Sequence, residues 1–217
     1  MTHRIDRCIA RFHDLDGAVV GAGFLLPNGY VMTCAHVVNA ALQRDLLDRS
    51  EPARDAPVSI DFPLLAGQSA TRGGVVGWRW PGLDAAVLQL DPSPTDAVRL
   101  DLRVLTEPRN VAFRAFGFPS GFAAERRNER GLVVGAVVGG NLEIRPTDGH
   151  DYFVEQGFSG APALDESNRV VGMVLATGPD PEKGLAYLIP AQQLERAWPP
   201  LVRPYRGLEA FDQGTGR

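Results

Sequence analysis

The chain has 217 residues, 44% hydrophobic and 22% charged, with a formal net charge of −4. That apolar content excludes an intrinsically disordered chain, and the charge balance implies no basic surface for nucleic acid. The 24 glycines and 17 prolines make up nearly a fifth of the chain against about 12% typically, which suits many short strands joined by turns and disfavours a helix bundle.

In chain order, the N-terminal stretch MTHRIDRCIARFHDLDG lacks the apolar core of a secretory signal. Runs rich in β-branched and aromatic residues then predict strands at 19–26, 30–34, 58–62, 74–78 and 85–90. A helical pattern covers 39–49. After the bridge DPSPTD at 91–96, further strands are predicted at 111–116, 131–138, 142–144, 152–154, 161–164, 170–176 and 186–189. Pro190 then starts a helix over AQQLERAW well. The most apolar stretch, 131–142, contains four glycines and falls short of the ~20 residues of a membrane-spanning helix.

The expected fold is all-β: two six-stranded antiparallel β-barrels with a cleft between them and a short C-terminal helix. The barrels are expected at residues 1–98 and 99–198, with 199–217 as a linker or tail rich in proline and glycine. No internal sequence repeat or low-complexity tract is found. Cys8 and Cys34 form no disulfide framework, so reduced thiols in a cytoplasm are expected. Neither a membrane nor a nucleic-acid partner is expected, and no cofactor.

A candidate nucleophile lies in Gly157-Phe158-Ser159-Gly160-Ala161-Pro162. Glycines on both sides of Ser159 let the backbone bend sharply, so that the amides of Gly157 and Ser159 can converge on one developing negative charge. A GxSG string alone is weak evidence, because such tetrapeptides occur in turns. A serine nucleophile also needs a base, usually histidine. His3, His13, His36 and His150 all precede Ser159, which excludes the α/β-hydrolase order of serine, acid, histidine. The subtilisin order remains formally possible with Asp14 or Asp16, but it demands alternating strands and helices.

His36 closes the apolar run Val31-Met32-Thr33-Cys34-Ala35 and can project from a rigid element into a cleft. Asp84 opens the strand-like Ala85-Ala86-Val87-Leu88 and is the best-placed acid between His36 and Ser159. Asp61, Asp91, Asp96 and Asp101 sit in a strand pattern or in solvated turns and are poorer candidates. A single histidine on a strand is usually structural, and a single aspartate before a strand is usually a turn cap. The order His36, Asp84, Ser159 in a double set of strands shifts that balance. Cys34 shares a face with His36 at period two, but no oxyanion motif surrounds it. One Cys-x-His pair with a remote His150 is too little for zinc.

Gly21-Ala22-Gly23-Phe24-Leu25-Leu26 and Thr33-Cys34-Ala35-His36-Val37-Val38 resemble first-barrel motifs of chymotrypsin-fold (trypsin-like) serine peptidases, in particular the bacterial HtrA-like branch. Leu83-Asp84-Ala85-Ala86-Val87-Leu88 is similar to that family's acid motif, Gly117-Phe118-Pro119 to an early second-barrel turn, and Gly157 to Pro162 to the nucleophile motif. Val170-Val171-Gly172-Met173 and Gly184 to Pro190 resemble the two strands that follow. The resemblance covers about residues 17 to 198. It implies a serine endopeptidase acting on proteins or peptides. In it, Ser159 is the nucleophile, His36 the base, Asp84 the orienting acid, and the amides of Gly157 and Ser159 the oxyanion hole. It also places Phe153, Gln156, Val174, Leu175 and Ala176 around the primary pocket. Phe153 stands where tryptic members carry an acid, so a preference for apolar or small side chains is expected. Phe158 stands where zymogen-activated members carry an aspartate, so activation by a new N-terminal amine is not expected. The resemblance further implies that Asp84 leans on the amides of Ala35 and His36.

In the tail, Pro204-Tyr205-Arg206-Gly207-Leu208-Glu209-Ala210-Phe211 resembles the opening of the NTPase module in bacterial STAND proteins. That implies an N-terminal effector fused to a signalling ATPase, with a role in defence or programmed death. The alternative is a catalytically silent interaction module on the same barrels.

Overall fold

Residues 4–65, 70–94, 100–119, 127–147, 157–175 and 186–198 are described in the computed structural model. Twelve strands among them close into two antiparallel barrels. The first comprises β1 (Ile9–His13), β2 (Val19–Leu25), β3 (Tyr30–Thr33), β4 (Val58–Asp61), β5 (Thr71–Trp78) and β6 (Ala86–Asp91). The second comprises β7 (Val111–Gly117), β8 (Arg127–Ala136), β9 (Leu142–Pro146), β10 (Pro162–Leu164), β11 (Val170–Leu175) and β12 (Ala186–Pro190). Around each barrel the strands follow one another as first, second, third, sixth, fifth, fourth. The topology is thus duplicated where the sequence shows no repeat, because pattern and turns constrain a barrel more than residue identity does. The boundary expected at residue 98 and the tail at 199–217 lie outside the described residues, as does the strand expected at 152–154.

Two expectations change. The first barrel gains β1, which the sequence pattern hides. Ile9, Ala10 and Phe12 are buried while Arg11 and His13 are only half-buried, so alternation covers no more than residues 10–13, and the register with β2 shifts between Phe12 and His13. β1 pairs with both β2 and β4 and so closes the barrel. The helix expected at 39–49 instead runs as α1 over Ala35–Ala41. Asn39 Nδ2 donates to the carbonyls of Leu46 and Asp48, at 3.3 and 2.8 Å, pulling the following chain into a loop. Gln43 takes a left-handed φ of 53°, and the Asp45 and Asp48 carboxylates accept from the amides of Leu47 and Ser50, the local bonding that competes with helix. The second helix, α2, covers Ala191–Ala197 directly after Pro190.

One charged cluster ties the barrel closure together. Arg11 on β1 grips Asp61 on β4 with two hydrogen bonds of 2.8 and 2.5 Å, and His13 Nε2 lies 3.2 Å from the same carboxylate. Burial pushes the Asp61 carboxyl up, but the bonds and charges of Arg11 and His13 outweigh it and bring it down to about 2. A carboxyl held below its unfolded value of about 3.9 stabilises the fold fully above about pH 4. That contribution, on the order of 2 kcal/mol, disappears as pH falls toward 2. The same contacts raise His13 against the opposing effect of burial; its share is present below about pH 6.5 and is lost as pH rises through its native value. Thermal melts between pH 5 and pH 2 are therefore expected to fall less steeply in Asp61→Asn than in the wild type. The difference accumulated over that range amounts to roughly 5 °C.

Candidate active site

The first half of the site is built by local structure on one barrel. β3 ends at Thr33, Cys34 keeps extended geometry as the N-cap of α1, and His36 falls in the first helical turn. Asp84 sits between β5 and β6. Leu83 C=O accepts from the Ala85 amide at 2.8 Å, forming a three-residue turn with Asp84 at its apex. The Asp84 carboxylate then meets His36 twice. Its Oδ2 lies 2.6 Å from His36 Nδ1, and its Oδ1 accepts from the His36 amide at 3.1 Å. A carboxylate on Nδ1 fixes the proton there and leaves Nε2 with its lone pair exposed for a partner. Of the two amides expected to support Asp84, that of His36 does so; no bond from Ala35 to Asp84 is present among the described residues.

The second half comes from the other barrel. The segment carrying Ser159 precedes β10 and crosses to β2, where the Ala22 amide donates to Ser159 C=O at 2.9 Å. Gly160, at φ +87°, lies against Ala22 O and Thr33 Oγ1 so closely that a Cβ would collide with both. Thr33 Oγ1 in turn donates to Ala22 O at 2.6 Å. Gly157, at φ +107°, lies against the backbone of Phe118 and has no room for a side chain. These glycines are required by conformation and by space together. Phe158 is buried, and its ring fills the volume that a Cβ on Gly117 would take. Phe158 therefore belongs to the packing beneath the serine.

Val174 joins the halves. Its carbonyl accepts from the Gly160 amide at 2.9 Å and from the Cys34 thiol at 3.4 Å. Ser159 is thus fixed one residue from a group that also holds the residue two before His36. Ser159 is 6% exposed. Among the described residues, no hydrogen bond joins Ser159 Oγ to His36, and no acceptor engages the amides of Gly157 or Ser159.

Cys34 is fully buried. Desolvation first, and the nearby Asp84 charge second, push its thiol well above the ordinary cysteine value. Both effects disfavour the thiolate, which is the reactive form. Sulfur, imidazole and carboxylate of Cys34, His36 and Asp84 lie within 4.8 Å of one another. In this arrangement the thiol is engaged by Val174 O, and both oxygens of Asp84 are engaged by His36.

Of the pocket residues expected from the sequence, Val174 is fully buried and Leu175 half-buried at the end of β11. Phe153, Gln156 and Ala176 lie outside the described residues, as does His150. Sequence reasoning passed over the backbone groups that assemble the site, Ala22 N and Val174 O, because main-chain donors and acceptors carry no side-chain signature. No helix among the described residues is long and apolar enough to cross a membrane.

A family model for the trypsin-like peptidase domain matches residues 21–173, a span that includes His36, Asp84 and Ser159. No curated protein matches the sequence. Among solved structures, the inactive form of the Rv3671c protease from M. tuberculosis is 20% identical and has a TM-score of 0.63, with 91% of this chain and 90% of that chain covered. The MamO protease domain from Magnetospirillum magneticum is 22% identical with a TM-score of 0.66, covering 90% and 98%. The serine endoprotease from Yersinia pestis is 17% identical with a TM-score of 0.68, covering 93% of this chain and 65% of that one. At these identities the neighbours establish the double-barrel fold, while the family model covers most of the chain. The chain belongs to the trypsin-like peptidase family and has its two-barrel fold.

Proposed function

We propose that this domain cleaves peptide bonds through Ser159, His36 and Asp84. Ser159 Oγ attacks the scissile carbonyl while His36 Nε2 takes its proton. Asp84 holds the tautomer and stabilises the imidazolium that forms. The carbonyl oxygen, now negative, is received by the amides of Gly157 and Ser159. The acyl-enzyme is then released by water, with His36 acting as base a second time. The observation that carries this reading is the doubly bonded Asp84–His36 couple, locked to the Ser159 segment through Val174 O and Ala22 N. The open Ser159–His36 contact is compatible with it, since such bonds tighten as substrate binds.

The natural setting proposed is an effector at the N-terminal side of a STAND-type NTPase, read from the segment at 204–211, with assembly of the NTPase switching on cleavage of a cellular target. The competing reading is a silent peptide-binding module on the same fold, and the open Ser159–His36 contact is the observation that favours it. Comparison of newly formed protein N-termini in cells producing the full-length wild type and Ser159→Ala, each with its trigger, separates the two. New termini confined to the wild type are expected; identical profiles would overturn the peptidase assignment.

A further inference from the structure

The described residues contain a second device aimed at Asp84. Arg79 follows β5 and closes the loop that holds the acid: its amide donates to Ala85 O at 3.1 Å, and its carbonyl accepts from Leu83 N at 2.9 Å. Both neighbours of Asp84 are therefore pinned to the backbone of Arg79. The side chain of Arg79 leaves this loop altogether. Its Nε donates to Ala197 C=O at 2.5 Å, and one terminal nitrogen donates to Trp78 O at 3.2 Å. Ala197 is the last residue of α2, where carbonyls lack helical partners and a cation is favoured by the helix dipole.

The next residue extends the contact. Trp198 packs edge-on against Tyr30 at 5.4 Å between ring centroids. It also covers Gly77 so closely that a Cβ there would lie 2.6 Å from the indole. Tyr30 opens β3, the strand that leads to His36. Gly77 lies near the end of β5, the strand that leads to the Asp84 loop. The end of α2, a helix of the second barrel, thus bears on both elements that deliver the Asp84–His36 couple.

We infer that Arg79 is a positioning residue for Asp84, holding the acid loop against the C-terminal end of α2 so that the carboxylate stays on His36. This rests on the proposed roles of Asp84 and His36. Arg79 touches no reacting atom. It acts by fixing a short loop whose exposed Pro81 and Gly82 segment has no other cross-barrel bond among the described residues. A displacement of about 1 Å at a catalytic group costs up to about 10²-fold in rate, so a loosened loop is expected to be visible in turnover.

The test uses the full chain as wild type, Arg79→Met, which keeps the aliphatic stem but no donor, and Arg79→Lys, which keeps a donor within reach of Ala197 O. The first readout is the low-field proton NMR signal of His36 Nδ1–H bonded to Asp84, which needs no catalysis. Arg79→Met is expected to lose or broaden it while melting within a few degrees of wild type, and Arg79→Lys to retain it in part. The second is peptide hydrolysis, where kcat is expected to fall about 10- to 100-fold in Arg79→Met with KM changed less than about twofold. An unchanged signal in Arg79→Met overturns the inference whatever the activity, and so does a lost signal with unchanged kcat. Should Arg79→Met not fold, Arg79→Leu, which is shorter and likewise has no donor, is read in its place, and an unchanged signal there overturns the inference as well. A wild type that shows the signal but never acylates on Ser159 refutes the peptidase mechanism, and the signal in the variants still decides the role of Arg79.

Discussion

Replacing Ser159 with alanine is expected to lower kcat by about 10⁶, with little change in KM and no loss of fold. The magnitude follows from removing the nucleophile of a cooperating set, where a single loss costs nearly as much as removing all members. It corresponds to about 8 kcal/mol of transition-state stabilisation. The fold is expected to tolerate the change because the contacts of Ser159 with its surroundings run through its backbone. Its carbonyl is held by Ala22 N, and its neighbour Gly160 by Val174 O. Steady-state hydrolysis of a fluorogenic peptide, with a thermal melt of the same preparation, checks both parts.

Asp84→Asn carries the second largest effect, a loss of about 10⁴ in kcat. The wild-type carboxylate accepts from two donors of the same residue, the ring Nδ1–H and the main-chain N–H of His36. A carboxamide has one acceptor oxygen. If that oxygen stays on the main-chain amide, the NH₂ group faces Nδ1 and can only donate, which forces the proton onto Nε2. A histidine protonated at Nε2 cannot accept from Ser159. The loss is thus one of tautomer, and it is expected in kcat with substrate binding retained. Stability is expected to change little, since one bond to the main chain survives. A fall of less than tenfold would show that Asp84 does not orient the base.

The parts of the molecule that were legible in the sequence are those with local pattern. Eleven of the twelve described strands coincide with apolar runs bounded by glycine, proline, asparagine or aspartate, and the break between the two sets marks the passage from one barrel to the other. The pairing of His36 with Asp84 was legible because each lies in a short apolar motif at the end of an element. β1 was not, because its alternation covers only residues 10–13 and the partner of Arg11 and His13, Asp61, lies on a strand about fifty positions away. The extent of α1 was misread because Asn39 spends its side chain on carbonyls seven and nine residues ahead, a contact no helical periodicity encodes. The Arg79 contact with Ala197 spans 118 positions. It depends on where α2 comes to rest, which is set by packing between barrels and leaves no trace in the sequence near either residue.

The physical picture that results is of a site divided between barrels and joined by main-chain groups. Asp84 and His36 come from one barrel as a bonded pair, and Ser159, the proposed nucleophile, comes from the other. Glycines at 157 and 160 are required because the two barrels approach there to backbone contact. The buried thiol of Cys34 helps fix that approach through Val174 O.

The most direct test of Ser159 as an activated nucleophile is covalent labelling with a fluorophosphonate, followed by mass-spectrometric mapping of the adduct. The reagent is applied in parallel to the wild-type protein, Ser159→Ala and Asp84→Asn. The wild type is expected to carry one adduct, on Ser159, with markedly slower labelling in Asp84→Asn and none in Ser159→Ala. A protein that hydrolyses peptides without an adduct on Ser159, or that labels equally fast in Ser159→Ala, would contradict the account.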